Sequence, residues 1–206
     1  LLGYIRKISN PYLRQAVEYY FVKDEAFIKS FKGHSAAKTV HHGFAGGLLE
    51  HTLSVTKMCE YFASAYDILN ADLLYASAVC HDIGKTKELS NFPDNDYTDI
   101  GQLVGHIVIG VEMIGEAIRT IPDFPEKLAN EWKHCIVAHH GELEYGSPKK
   151  PALAEAVALN LADNADAKMQ TLKEIFKDKS GTDWLGYNRL FESNLRKTSL
   201  SEESKS

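Results

Sequence analysis

Apolar positions recur every three or four residues along most of the chain, the spacing of helices with one buried face. Asn10-Pro11, followed by Tyr12, Leu13, Val17, Tyr20 and Phe21, predicts a capped amphipathic helix, with Asn10 as N-cap and Pro11 at its first position. A second short helix is predicted from Asp24 to Phe31. Leu48, Thr52, Val55, Cys59, Phe62 and Tyr66 keep helical step from Gly47 to Tyr66. Leu74, Ser77, Ala78 and His81 share one face of a helix from Ala71 to Ile83, which a left-handed cap at Gly84 would close. Leu103, Ile107, Gly110, Val111 and Ile114 predict one helix from Ile100 to Ile118. Leu128, Trp132, Cys135 and His139 predict another from Pro125 to Ala138. Pro151 starts the last well-marked helix, Ala152 to about Phe176, with Leu153, Ala156, Val157, Asn160 and Asn164 inward and Asp166 outward.

The connections read differently. Lys32 to Gly47 is polar and carries His34, His41 and His42, read as surface or hydrogen-bonded histidines, with a substrate contact by His41 or His42 as the sharper alternative. Asn91 to Asp96 has turn chemistry, and its flanks are long enough only for a minor β-hairpin within 87–99. Its acidic residues read as a solvated loop. The loop from Glu142 to Lys150 places Lys149 and Lys150 between two helices with inward polar residues, where phosphate contact is plausible. Beyond Lys168, Trp184, Leu185, Tyr187, Leu190 and Phe191 predict packing against something, and the polar ending Ser199 to Ser206 is expected to be disordered. The pattern is all-α and shows no internal repeat.

A chain of 206 residues suggests one domain, or one with a small appendage. A hydrophobic content of 44% with 25% charged residues is that of an ordinary globular protein. The net charge of -5 argues against a protein that coats nucleic acid through general basicity, while leaving metal-held phosphates open. Cys59, Cys80 and Cys135 form no C-x-x-C pair and fall on apolar stripes, so they read as buried thiols of a reducing compartment. No run approaches the ~18 apolar residues of a membrane span and no signal peptide is visible, so a cytoplasmic protein without a membrane partner is expected. The chain begins Leu1-Leu2 without a methionine, which fits a piece of a longer protein.

Chemistry enters with the inward polar residues. His51 lies three after Leu48 and four before Val55; His106 lies three after Leu103 and four before Gly110. His139-His140 leave a helix end before Gly141, and Asp163 follows Asn160 by one turn. His134 points elsewhere on its wheel and reads as structural or exposed. Taken singly, an inward histidine is more often a hydrogen-bonded core residue than a ligand. Asp82, beside His81, is harder to explain by packing, because burying a lone carboxylate is costly. Together these would be too many unsatisfied groups for one core. A shared metal site satisfies them at once. Mixed imidazole and carboxylate donors suit Mn, Fe, Co, Ni or Zn rather than Ca or Mg. His51, His81, Asp82, His106, His139, His140 and Asp163 are too many donors for one ion, and two divalent ions bridged by one carboxylate use them naturally. Gly105 and Gly110 each cost ~1 kcal/mol against alanine within a helix, which makes sense where something approaches that face closely.

The ordered set His51, His81-Asp82, His106, His139-His140 and Asp163 on a helical chain resembles the HD-domain phosphohydrolase superfamily over roughly residues 40–170. The minimal four-ligand version is His51, His81, Asp82 and Asp163; the added histidines look like its binuclear subset. Gly46 to Thr52, His81-Asp82-Ile83-Gly84-Lys85, His139-His140-Gly141-Glu142 with Gly146 to Lys149, and Ala162 to Lys168 resemble the YhaM-type bacterial 3′–5′ exoribonucleases more narrowly.

That resemblance implies an HD-domain helical bundle at 41–180, N-terminal helices at 1–40 packing on it, and a C-terminal extension at 181–206. It implies one ion on His51, His81 and Asp163, a second on His106, His139 and His140, and Asp82 bridging. Asp82 and Lys85 become the catalytic residues, Lys85 meeting the phosphate, with Lys149 and Lys150 as further substrate contacts. Manganese is the first expectation. The implied activity is 3′–5′ exonucleolytic hydrolysis of short single-stranded RNA or DNA by a hydroxide activated between two metals. That family usually carries an N-terminal OB-fold, and nothing before Asn10 could hold one. This, with the net acidity, keeps open an HD-type phosphohydrolase of free nucleotides. A non-catalytic nucleic-acid-binding regulator fits less well, because structural zinc sites normally close with four ligands. No Gly-Tyr-Pro signature follows His81-Asp82, which speaks against a cyclic-dinucleotide phosphodiesterase. Some family members carry a histidine near Asn160, so no role in the site is expected for that asparagine. An oligomer is compatible with all of this.

Overall fold

A computed structural model describes residues 1–38, 44–91, 93–177 and 183–199. In chain order it contains α1 (Leu2–Lys7), α2 (Pro11–Glu18), a π-helical turn (Tyr19–Lys23), α3 (Glu25–Gly33), α4 (Gly47–Ala65), α5 (Ala71–Cys80), α6 (Lys85–Glu88), α7 (Asp99–Leu103), α8 (His106–Arg119), α9 (Glu126–Val137), α10 (Ala154–Lys177), β1 (Trp184–Asn188) and β2 (Ser193–Arg196). Residues Leu1–Lys168 form one unit and Met169–Ser206 another.

Local signals account for the helix starts. The Asn10 side chain accepts hydrogen bonds from the Tyr12 and Leu13 amides, with Pro11 behind it. Asp24, Asn70 and Thr98 cap α3, α5 and α7 in the same way. Helix α5 is the axis of the first unit. Its residues from Leu73 to Cys80 are all buried, and α1, α2, α4 and α9 pack around it. An apolar face on every side is what a central helix requires. Ile5, Leu13, Val17, Phe21 and Phe31 share one core with Leu48, Val55, Leu74, Ile114, Trp132 and Leu159. The three cysteines are buried in that core, and burial pushes their thiols up, Cys135 to about 12.

Several elements differ from the sequence reading. Helix α5 stops at Cys80, and His81–Gly84 form a turn rather than its last residues. Gly84 is not a left-handed cap; its φ is -63° and its ψ -23°. It is glycine because α8 crosses it: a Cβ there would lie 2.0 Å from the His106 carbonyl oxygen and 2.8 Å from the Gly110 amide nitrogen. The close approach expected at Gly110 falls on Gly84 instead: a Cβ at Gly110 would meet Ile136 Cγ2 at 3.6 Å and the Gly84 amide nitrogen at 3.7 Å, ordinary contacts. The predicted helix from Ile100 to Ile118 is two helices, broken where Gly105 takes a φ of +78°, a conformation open to glycine at little cost. Leu103, expected inward, ends α7 and is 85% exposed.

The acidic residues of the turn, Asp94 and Asp96, are exposed as expected, but the asparagine between them is not. Asn95 is buried, accepts a hydrogen bond from Ser35 Oγ, and donates from Nδ2 to the carbonyls of Ala37 (2.9 Å) and Lys38 (3.0 Å). The hairpin expected within 87–99 reduces to a single antiparallel bridge between Leu89 and Tyr97. His34, read as a surface or hydrogen-bonded histidine, is buried rather than at the surface, and its carbonyl accepts the Leu48 amide at the start of α4. In α10 the buried side runs through Ala156, Leu159 and Ala162, while Val157 and Leu161 are exposed.

In the second unit, β1 and β2 pair antiparallel, Trp184 opposite Arg196 and Asn188 opposite Ser193. Trp184, Tyr187 and Leu190, expected to pack, are exposed there. His41, His42 and the polar ending beyond Ser199 lie outside the described residues. Among the described residues, no helix is long and apolar enough to cross a membrane.

Candidate metal centre

The candidate ligands come from five places in the first unit: His51 from α4, His81 and Asp82 from the turn after α5, His106 from the first residue of α8, His139 and His140 from the turn after α9, and Asp163 from α10. Every one of the five imidazoles has its Nδ1 engaged. His81 donates to the Ala78 carbonyl at 2.8 Å, His139 to the Ile136 carbonyl at 2.7 Å, and His140 to the Tyr145 carbonyl at 2.8 Å. His51 Nδ1 lies 2.7 Å from Asp166 Oδ2, and His106 Nδ1 lies 3.0 Å from Glu88 Oε1. Carbonyls and carboxylates only accept, so Nδ1 carries the proton in each ring. Nε2 is then the atom each ring turns to the interior, the usual arrangement of histidine ligands.

These Nε2 atoms fall into two groups. His51, His81 and Asp163 form one, and His106, His139 and His140 the other; within each, the donor atoms lie within 4.8 Å of one another. Asp82 stands between them. Its Oδ2 is 3.4 Å from His51 Nε2 and 3.3 Å from His81 Nε2, and its Oδ1 is 3.5 Å from His106 Nε2 and 3.7 Å from His139 Nε2. Asp82 Oδ1, His106 Nε2 and His139 Nε2 are buried with no hydrogen-bond partner. Three orphaned polar atoms converging on one point would each be costly in a plain core. They fit divalent cations, and the two clusters suggest two.

Electrostatics point the same way. Burial opposes a charge on His51, but hydrogen bonding to Asp163, Asp166 and Asp82 outweighs it and raises its pKa well above the usual value. What a proton gains there, a metal cation also gains. Burial, with His140 beside it, holds His139 well below the ordinary imidazole range, and burial with His106 nearby lowers His140. Neutral imidazole is the ligating form. Burial would raise the Asp82 carboxyl, yet the charges of Lys85 and His81 hold it well below the usual range. Lys85 Nζ sits 2.8 Å from Asp82 Oδ2. Burial alone would lower that ammonium, and Asp82 raises it.

Two carboxylates escaped the sequence reading. Asp166, expected to face outward, is buried behind His51, and its other oxygen accepts from Ser54 Oγ. Glu88 accepts from both the His106 backbone amide (2.9 Å) and its ring. Such partners orient the imidazole and raise its basicity, and their loss typically costs about 10- to 100-fold in metal affinity. Asp166→Asn and Glu88→Gln are each expected to weaken divalent-metal binding by that factor in a chelator-competition titration, while circular dichroism stays unchanged. Asn160 has a supporting contact of its own, donating from Nδ2 to the His139 carbonyl at 2.8 Å. His134 is structural: its Nε2 accepts the Ala152 amide at 2.8 Å.

Over the first cluster lies a cleft of about 390 Å³ whose walls include His51, Lys85, His140, Tyr145 and Asp163. Lys149 and Lys150 are exposed and do not line it; Lys150 Nζ is 2.7 Å from Glu142 Oε2.

Residues 48–168, the stretch that carries all of these candidate ligands, match the family model of the HD domain. The chain belongs to the HD-domain family. It is similar to the 3′-5′ exoribonuclease YhaM of Halalkalibacterium halodurans, 38% identical over 169 residues, which are 82% of this chain and 52% of that protein. It is similar also to YhaM of Bacillus subtilis (strain 168), 39% identical over 170 residues, 82% of this chain and 52% of that protein. This HD-domain chain thus spans about half the length of the curated relatives it matches. No solved structure matches it.

Proposed function

We propose that this chain is a metal-dependent phosphodiesterase that removes nucleotides from the 3′ end of short single-stranded RNA, or DNA, as 5′-mononucleotides. The observation that carries the reading is Asp82, whose two oxygens face two separate histidine clusters. His51, His81 and Asp163 would hold one divalent ion, and His106, His139 and His140 the other, with Asp82 shared; manganese is our first choice. Ions so held supply Lewis-acid charge and a lowered pKa for the attacking water. The relatives named as 3′-5′ exoribonucleases support the choice of substrate. We assign the chemistry to 41–180, with 1–40 and 181–206 as additions, and place the protein in the cytoplasm, which suits its unpaired buried thiols.

In the step this implies, water attacks the terminal phosphodiester in line. The bond from phosphorus to the upstream 3′ oxygen breaks, and that oxygen leaves with a proton. Lys85 brings an ammonium to the cleft wall, where it meets the charge that develops on the phosphate oxygens.

The test is a comparison of substrates with added Mn²⁺. A 5′-labelled single-stranded oligonucleotide is expected to shorten in single steps from its 3′ end, with 5′-mononucleotides released. Dephosphorylation of mononucleotides with oligonucleotides left intact would overturn the reading in favour of a free-nucleotide phosphohydrolase.

A further inference from the structure

A second, smaller pocket adjoins the cleft. Its volume is about 250 Å³, and Ala36, Ala37 and Lys85 border both cavities. The cleft has His51 and Asp163 of the first cluster and His140 of the second in its wall; the smaller pocket has His106 of the second, with Glu88 behind that ring. Both cavities therefore open on one centre, the cleft on both clusters and the smaller pocket on the His106 side, with the Lys85 side chain where they meet. The Ala36-Ala37 wall between them is fixed in place, because Asn95 binds the carbonyls of Ala37 and Lys38.

Each cavity has one tyrosine in its wall. Tyr145 is 67% exposed in the cleft, and Tyr97 is 44% exposed in the smaller pocket. A single aromatic ring on each side of a phosphate-binding point is what two successive nucleobases require, since every base offers a face to stack on. The polar groups differ between the two sides. The cleft adds the amides of Asn160 and Asn164, suited to sugar hydroxyls and base edges. The smaller pocket adds Lys38, whose ammonium lies 2.6 Å from Asp96 and 5.8 Å from the centre of the Tyr97 ring. A cation belongs on the side where the chain continues and further phosphates follow.

We propose that the centre grips a dinucleotide step: Tyr145 stacks on the 3′-terminal base in the cleft, and Tyr97 stacks on the penultimate base in the smaller pocket, with the scissile phosphate at Lys85. This rests on the phosphodiesterase reading above. It assigns Tyr145 and Tyr97 a recognition role that is separate from the ligand histidines. Tyr145 holds His140 through its backbone carbonyl, so a side-chain substitution leaves that contact available.

The test pairs each tyrosine with the base it is assigned. Binding of a non-cleavable, methylene-bridged dinucleotide to the full chain is measured with three ligands: intact, lacking the terminal base, and lacking the penultimate base. Tyr145→Ala is expected to weaken the intact ligand about tenfold, an ordinary loss for one stacked base. That effect should vanish on the ligand without its terminal base and persist on the one without its penultimate base. Tyr97→Ala should show the reverse. Tyr145→Phe and Tyr97→Phe should bind as the parent does. An effect of either alanine variant that is the same on all three ligands overturns the assignment, since it would reflect a disturbed centre rather than a lost stacking partner. No effect on any ligand overturns it as well. Because the readout is binding, a parent chain that cleaves no oligonucleotide would sink the proposed activity while still leaving the grip open to judgement.

Discussion

Asp82→Ala is expected to lose bound divalent metal from both clusters and to lower phosphodiester hydrolysis by about a thousandfold or more. The size follows from its position. Removing one donor from an ordinary electrostatic site costs on the order of 10²–10³ in rate. Asp82 faces His51 and His81 with one oxygen and His106 and His139 with the other, so its loss weakens two sites together. Metal content by elemental analysis and turnover of labelled oligonucleotide would be read on the same preparation. The substitution also strips a buried ammonium of its partner, since Lys85 is held by Asp82 at 2.8 Å, and a broken buried pair is destabilising. Asp82→Asn keeps the side-chain shape and serves as the control: it should fold and still fail to hold metal. A folded variant with full metal and full activity would remove Asp82 from the centre of the scheme.

Gly84→Ala is expected to lower stability by about 3 kcal/mol, or on the order of 10 °C in melting temperature, a large effect for one added methyl group. The methyl would meet the His106 carbonyl and the Gly110 amide, both backbone atoms that cannot rotate away. The α6–α8 crossing has to open. Since Glu88 in α6 positions His106 at the start of α8, the second cluster should loosen with it. A thermal melt gives the first effect and metal titration the second. Gly146→Ala is the comparison: space is open around that glycine, but its φ of +85° makes the change a test of backbone strain alone. A Gly84→Ala melt within about 1 °C of the parent would show that the crossing can yield.

The candidate ligands stood out in the sequence because they break a pattern. His51 and Asp163 lie on helical stripes and His81-Asp82 and His139-His140 mark helix ends, whereas His106 was placed by a step from Leu103 that crosses the break at Gly105; it was their number together that pointed to a site. What failed was reasoning that needed contacts between helices. Val157 is large and apolar, and with it the expected inner face of α10 turned toward Asn160 and Asn164, yet Val157 is exposed. The real face is built mainly of alanines, Ala156 and Ala162 beside Leu159, and it carries Asp166 inward with Asp163. Asp166 follows Asp163 by three positions, about one turn on one face, and that spacing was the available clue. Glu88 offered none, since its partner lies 18 residues on and across a helix crossing. Leu103 kept perfect step with Ile107 across a break that only Gly105 announced. Asn95 looked like any turn asparagine until Ser35, Ala37 and Lys38 came to meet it.

The way the five rings are tied down bears on how such a centre can change over evolutionary time. His81, His139 and His140 lean on main-chain carbonyls, which every residue type supplies and no point mutation deletes. His51 and His106 lean on Asp166 and Glu88, which single codon changes can replace. Heritable variation therefore has one handle on each cluster. Drift at Asp166 would retune one half of the centre and drift at Glu88 the other, while the remaining imidazoles keep their aim whatever the neighbouring side chains become.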